Sequence, residues 1–491
     1  MNPPTHDKQY QSYRGLPVLA GLCSMERAVE SQWSVETSTS QLKRIHYLTR
    51  RLHETLTARI TAEPIYELKT AYSHHAYLLA EYTSAIRKRV SEMRVPPLGL
   101  EDVPHDSLKL LMDEIMSSPT TETLLVGAYE VVLAAILDAA KQLQQAAHPL
   151  ADAPTVRLMK LLQFELLEVA EFGKQAIACL ISQQQRADMA DWLVLLAKCL
   201  KHAGNFELAA AKDPSLQDSL ADSLGDVPEV APHYSKTPFQ YHAEPCRDER
   251  FQDSYNAGVN PEAFLYDERF SARDKTLMMY YKRIREIDVP EMMASILYEL
   301  RDDEPWEFHM EMSRQLWDEA RHAMMGEVGF VSLGLDWTKI PINFTWSRNL
   351  NLQLNARERH GVLFFIEQGL MPKTGKKYEW EVGCDSGDGL SGMFQDFDWA
   401  DEVLHAQIGR RWYMPRYKTL QESLAFGDRS WTKVVSQWQA YREQGLTEHR
   451  NWWPDLYQEA CRRWNVAPDP VAMAYHTTYE ESRADLKKIS H

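Results

Sequence analysis

Asp318-Glu319-Ala320-Arg321-His322 and Asp401-Glu402-Val403-Leu404-His405 repeat one pattern, Asp-Glu-x-x-His. Each lies in a stretch whose apolar residues recur at three and four, WEFHMEMSRQLWDEARHAMMGEVGFVSLG at 306–334 and WADEVLHAQIGRRWYM at 399–414, so each is expected on a helix. Residues three apart on a helix share a face. Glu319 with His322, and Glu402 with His405, can therefore each bind one metal ion, the carboxylate supplying a hard oxygen and the imidazole a borderline nitrogen. A random chain of this length holds about one Glu-x-x-His, and requiring Asp immediately before the Glu lowers the random expectation to about 0.1. A metal site outweighs two solvated helix faces.

The rest of the chain carries the same helical period. QLKRIHYLTRRLHETL, IYELKTAYSHHAYLLAEYTSAIRKRV, TETLLVGAYEVVLAAILDAAKQLQQ and TVRLMKLLQFELLEVAEFGKQAIACL predict an N-terminal bundle at 34–203, behind an extension at 1–33. The period dissolves at 204–272, where Pro214, Pro228, Pro232, Pro238, Pro245 and Pro261 mark a linker. It returns from Asp274 to Ile287, in PEMMASILYEL and in NARERHGVLFFIEQGL, so a second bundle is expected at 273–420. SWTKVVSQWQAYREQ and WPDLYQEACRRW, in 421–491, are expected to cap it. The fold class is all-α, with two helical bundles and extra C-terminal helices.

Composition excludes several classes. With 491 residues, 44% of them apolar and 25% charged, the chain is neither disordered nor low in complexity. A net charge of −16 repels phosphate backbones, so no nucleic-acid partner is expected. The six cysteines stand singly without a CxxC pair, and a reduced, cytoplasmic setting is expected. The longest apolar run, Val131 to Ala140, is interrupted by Asp138, and no membrane segment is expected.

The paired motif resembles that of the ferritin-like di-iron carboxylate superfamily, whose four-helix bundles use Glu, Glu-x-x-His, Glu, Glu-x-x-His on successive helices. The resemblance rests on about 285–415 and implies that the second bundle is ferritin-like. It also implies one Glu from the helix before Glu319 and one from the helix between His322 and Glu402. Glu291 is the choice for the first: with a turn near Asp303, Glu319 lies about 24 Å along its helix and Glu291 about 18 Å back along the preceding one. Glu299 lies about 6 Å from that turn and is second choice, with Glu286 a more distant option. Glu367 is the choice for the other, because a carboxylate beside Phe364, Phe365 and Ile366 is costly to bury unpaired; Glu358 is its alternative.

The implied metal ligands are thus Glu291, Glu319, His322, Glu367, Glu402 and His405, and four carboxylates balance two divalent ions with both histidines neutral. Asp318 and Asp401 point to a neighbouring face. There they accept a proton from the Nδ1 of a ligating histidine across the bundle, a role the resemblance supports, or pair with Arg321 or Arg410. The N-terminal bundle resembles the same family in helix length but has no Glu three before His74, and it is read as a degenerate copy that either packs on the rest of the chain or forms a homodimer. His74 and His75 are its candidates for binding anything.

Other motifs carry less. Gly387-Asp-Gly389-Leu-Ser-Gly392 fits GxGxxG without βαβ alternation around it, and DSGDG lacks calcium-ligand spacing. HExxH is absent, and Cys384 has no nearby histidine in sequence. The resemblance therefore implies a di-iron enzyme, or a di-manganese one, an oxidase or oxygenase that takes O₂ as cosubstrate and oxidises a small organic molecule, with electrons from that molecule or from a separate reductase. A manganese catalase or peroxide scavenger, and a metal-binding scaffold without catalysis, are the rival readings. Iron storage and tRNA hydroxylation fit less well.

Overall fold

The computed structural model describes residues 10–93, 98–204, 231–372, 375–435 and 437–482. The first nine residues of the expected extension, and residues 205–230 of the expected linker, with Pro214 and Pro228, lie outside the described residues. Every regular element among the described residues is helical. The chain forms two compact units, Met1–Thr55 with Leu78–Gln240, and Leu56–Tyr77 with Tyr241–His491.

This division differs from the expected one. Helices α1 (Val35–Arg59) and α2 (Tyr66–Met93) each contribute to both units, and most of the described part of the expected linker belongs to the second. The reason is packing: Tyr66 joins the apolar core of the second unit, where Phe251, Val259, Phe264 and Phe270 also sit. Proline ended the helical period there without ending the core.

The first unit is completed by α3 (Asp106–Met116), an apolar helix running from Thr121 to Ala146 through a π-turn segment at Val126–Leu133, α4 (Ala153–Leu180) and α5 (Ala190–His202). A Thr120–Thr123 capping box starts the apolar helix, and Pro154 fits the first turn of α4. The apolar helix is long and apolar enough to cross a membrane, and 72% of its most apolar window is buried inside the protein, as in a core helix. Glu114 of α3 accepts hydrogen bonds from the backbone of His233, Tyr234 and Ser235 and from the Trp192 indole, which ties 231–240 to this unit.

The second unit is built on α6 (Ala272–Arg285), α7 (Asp288–Glu299), α8 (Trp306–Ser332), α9 (Thr345–Gln353), α10 (Ala356–Gly369), α11 (Lys376–Asp385), α12 (Gly389–Trp412), α13 (Leu420–Val434) and α14 (Trp453–Trp464). Helix α8 packs on α6, α7 and α12, and α10 packs on α12, α7 and α13. Ser271 caps α6 and Asn355 caps α10, the latter in a capping box that uses Glu358. The C-terminal helix α14 is part of the core: Trp453, Leu456, Tyr457 and Cys461 lie in one buried cluster with Leu277, Tyr280, Tyr281 and Ile284 of α6.

Two glycines set the spacing around the site. A Cβ on Gly326 of α8 would stand 2.2 Å from the Ile284 backbone nitrogen and 2.6 Å from the Tyr280 carbonyl oxygen, so α6 and α8 touch backbone to backbone. That contact is one turn beyond His322. Gly387 has φ +80 in the turn between α11 and α12, where Asp388 caps α12 and accepts a 2.5 Å hydrogen bond from the Tyr280 hydroxyl. Of the glycine-containing stretch, Gly387 and Asp388 lie in the helix–helix turn and Gly389 to Gly392 open α12, and the segment before the turn is helical.

Candidate metal centre

Five of the six expected ligands meet in the second unit. Glu319 and His322 come from α8, Glu367 from α10, and Glu402 and His405 from α12. All five are at least 96% buried. Glu319 stands between the histidines, its Oε2 3.7 Å from His322 Nδ1 and its Oε1 3.2 Å from His405 Nδ1. His405 Nδ1 also faces Glu402 at 3.6 Å and Glu367 at 3.9 Å. The two imidazole rings are 5.9 Å apart, centre to centre.

The sixth ligand is a correction. Glu291 does not reach the cluster; it is fully buried elsewhere, with Lys69 and Arg247 on its carboxylate and the Ser347 hydroxyl donating at 2.7 Å. Its place is taken by Glu286, 3.5 Å from His322 Nδ1. The depth estimate fixed how far along α7 Glu291 lies but not the face it occupies: Glu291 turns to Lys69 and Arg247, whereas Glu286 follows the end of α6, whose backbone meets α8 at Gly326. Glu299 pairs with Arg359 and Glu358 with Lys433. Neither contributes.

Asp318 and Asp401 each face a histidine across the bundle, but at Nε2 and not at the expected Nδ1. His322 Nε2 faces Asp401 at 3.2 Å and His405 Nε2 faces Asp318 at 3.3 Å, so each histidine is tied to the aspartate of the opposite motif. The Nδ1 atoms are left pointing inward, where neither makes a hydrogen bond. The expected Nδ1 donation is corrected accordingly. Arg321 bonds to both aspartates, so the alternative ion pairs coexist with the histidine contacts. Arg410 instead holds Gln368.

Three residues absent from the sequence reading complete the cluster. Asp398 of α12 lies 3.5 Å from His322 Nδ1, and its carboxylate takes Arg283 and Lys376, the latter at 2.8 Å. Lys376 also reaches Glu402 Oε1 at 2.9 Å, leaving Glu402 Oε2 without a hydrogen bond. Asp398, Glu402 and His405 are spaced four and three apart, a helical-face signal that was readable. Arg283 and Lys376 had no such signal.

Charge explains the proton distribution. Burial and the neighbouring Glu402 and Glu319 push the Glu367 carboxyl well above the usual carboxylate range. Burial opposes charging of His322 and His405, but the carboxylates facing them overcome it and hold both imidazoles well above their ordinary pKa. Burial also works against the Asp318 carboxylate, but hydrogen bonds from His405 and Arg321 prevail and hold it down at about 2.

The donor set fits cations. Ligand atoms within 4.8 Å of one another form the groups Glu319, Glu367, Glu402, His405 and Glu286, Glu319, His322, with Glu319 common to both. The inward His322 Nδ1, His405 Nδ1, Glu286 Oε2, Glu367 Oε2 and Glu402 Oε2 are all buried without a hydrogen-bond partner, a costly arrangement that metal coordination would relieve. A third group, His322, Asp398 and Glu402, overlaps the pair.

A cavity of about 580 Å³ opens on Glu286, Glu319, Glu367 and Glu402 and is walled largely by apolar side chains, among them Val289, Met292, Leu363 and Phe365. The N-terminal candidates belong to different surroundings: the His74 ring stacks on Trp317 at 4.4 Å, and burial lowers His75 to about 3. Neither enters a metal-capable group among the described residues. No family model, curated protein or solved structure matches the chain.

Proposed function

We propose that the second unit is a ferritin-like dinuclear-metal oxidase or oxygenase that uses O₂ to oxidise a small organic substrate. The observation that supports it is the doubled arrangement around Glu319: two inward Nδ1 atoms, each among glutamates, each imidazole tethered through Nε2. Glu286 and His322 would hold one ion, Glu367, Glu402 and His405 the other, and Glu319 both. Bound there, two iron ions, or two manganese ions, would supply electrons and open coordination positions for reducing O₂.

The chain's own residues do the rest. Asp318 and Asp401 fix the ring orientation and keep the Nε2 proton in place, so that Nδ1 stays the inward atom. Arg283 and Lys376 neutralise Asp398 and hold it beside His322. The largely apolar wall beside the glutamates offers an organic substrate a surface to pack on. A cavity of about 580 Å³ is far larger than a peroxide molecule needs, which favours an organic substrate over peroxide dismutation. A separate reductase, or the substrate itself, supplies electrons.

The test uses the full chain loaded with iron, reduced without oxygen, freed of reductant and mixed with O₂. About two irons per chain and about one O₂ consumed per pair are expected, with both falling together in His322→Ala and His405→Ala. Full metal content in both variants, or a loaded protein that consumes no O₂, contradicts the proposal.

A further inference from the structure

The cavity beside the glutamates carries a cation whose donors are not spent. Arg285 closes α6 and lines the cavity at 8% exposure. Its guanidinium lies over the Trp346 ring, 4.1 Å from the centroid, and Trp431 meets the same ring edge-on at 5.0 Å. Among the described residues the guanidinium makes no hydrogen bond, and its ion pair to Glu262 spans 3.6 Å, too long to be one. Five planar N–H donors held in place and left unsatisfied in a mostly apolar wall are a receptor for a planar two-oxygen anion.

Outside the glutamates of the metal cluster, two other charged groups of the wall are already paired. Lys282 is bonded to Glu379, and Asp288 to Arg247 at 2.5 Å. Glu262 and Asp288 also line the cavity; one oxygen of each is buried without a hydrogen bond, and the other oxygen of Glu262 faces Arg285 at 3.6 Å. The metal cluster points the same way. Four glutamates offset two divalent ions, Asp398 adds one negative charge, and Arg283 and Lys376 add two positive ones. A doubly loaded centre therefore carries one net positive charge.

Resting on the reading of this cavity as the substrate site, we propose that it binds an organic carboxylate with a largely apolar, ring-bearing body. The carboxylate is held by both edges of the Arg285 fork, and the body lies along Met292, Leu363 and Phe365 toward Glu319, Glu367 and Glu402.

Titration calorimetry on the full chain tests this with three matched probes, 4-phenylbutanoate, 4-phenylbutan-1-ol and 4-phenylbutylamine, in metal-free and zinc-loaded protein. The acid is expected to bind about tenfold or more tighter than the alcohol and the amine, as a charge-assisted fork requires. Arg285→Met is expected to abolish that preference while the alcohol keeps its affinity within about twofold, and Arg285→Lys to restore part of it. Arg285→Gln serves if circular dichroism shows the Met variant unfolded. An alcohol or amine that binds as tightly as the acid, or a preference that survives loss of Arg285, overturns the proposal. Metal-free protein separates the two readings: anion preference without metal binding removes the centre and keeps the cavity, and metal binding without anion preference does the reverse.

Discussion

Asp318 faces Nε2 of His405 at 3.3 Å, although the two residues belong to different copies of the repeated motif and to different helices. The counterpart, Asp401 at 3.2 Å from His322 Nε2, makes the relationship reciprocal. Each motif therefore supplies two ligand candidates inward and one orienting carboxylate to its opposite number. Loss of one aspartate damages the histidine of the other helix.

Asp318→Asn keeps the side-chain shape and removes the charge that faces His405. Metal affinity is expected to fall about 10- to 100-fold, measured by competition with a chelator. Asp318 also accepts hydrogen bonds from Arg321 and, at 2.9 Å, from Arg314, and affinity equal to that of the parent would show that the aspartate only anchors these arginines.

Glu286→Ala and Glu291→Ala should separate cleanly. Glu286→Ala is expected to reduce metal affinity and to cost less urea resistance than Glu291→Ala, because Arg283, its ion-pair partner at 2.9 Å, keeps Asp398. Glu291→Ala leaves Lys69 and Arg247 buried beside a missing partner, at a cost of about 3–5 kcal/mol, while metal bound per folded chain is unchanged. Metal loss confined to Glu291→Ala would restore the original ligand assignment.

The contrast between those two glutamates shows what the sequence holds. Glu319, His322, Glu402 and His405 were legible because helical spacing converts directly into a shared face. Glu367 was legible because its apolar neighbours make an unpaired carboxylate expensive. Glu286 stood behind Glu291 and Glu299 because distance along one helix says nothing of the alignment of α6 with α8, which depends on the contact of Gly326 with Ile284. Glu291 looked suitable only while Lys69, far earlier in the chain, was assigned to another domain. Lys376 and Arg283 reach Asp398 from separate helices, a convergence that no spacing rule encodes.

His360 gives a pH signature away from the cluster. Burial, with Arg416 nearby, holds its pKa down at about 3, and its Nε2 has no hydrogen-bond partner. The unfolded chain binds this proton near pH 6.5 and the folded chain only near 3, so stability is complete above about 6.5 and falls as the pH drops through that window. His360→Phe should lessen the loss between pH 7.5 and 5 by about 2 kcal/mol, read from urea unfolding at the two pH values. Identical losses in parent and variant would show that His360 does not contribute.

Diffraction from iron-loaded crystals of the full chain, with data on both sides of the iron absorption edge, tests the centre most directly. Two anomalous peaks are predicted, one among Glu286, Glu319 and His322 and one among Glu319, Glu367, Glu402 and His405, about 4 Å apart or less. An absence of anomalous density between the two histidines, in crystals grown from protein with iron in excess, would contradict the account.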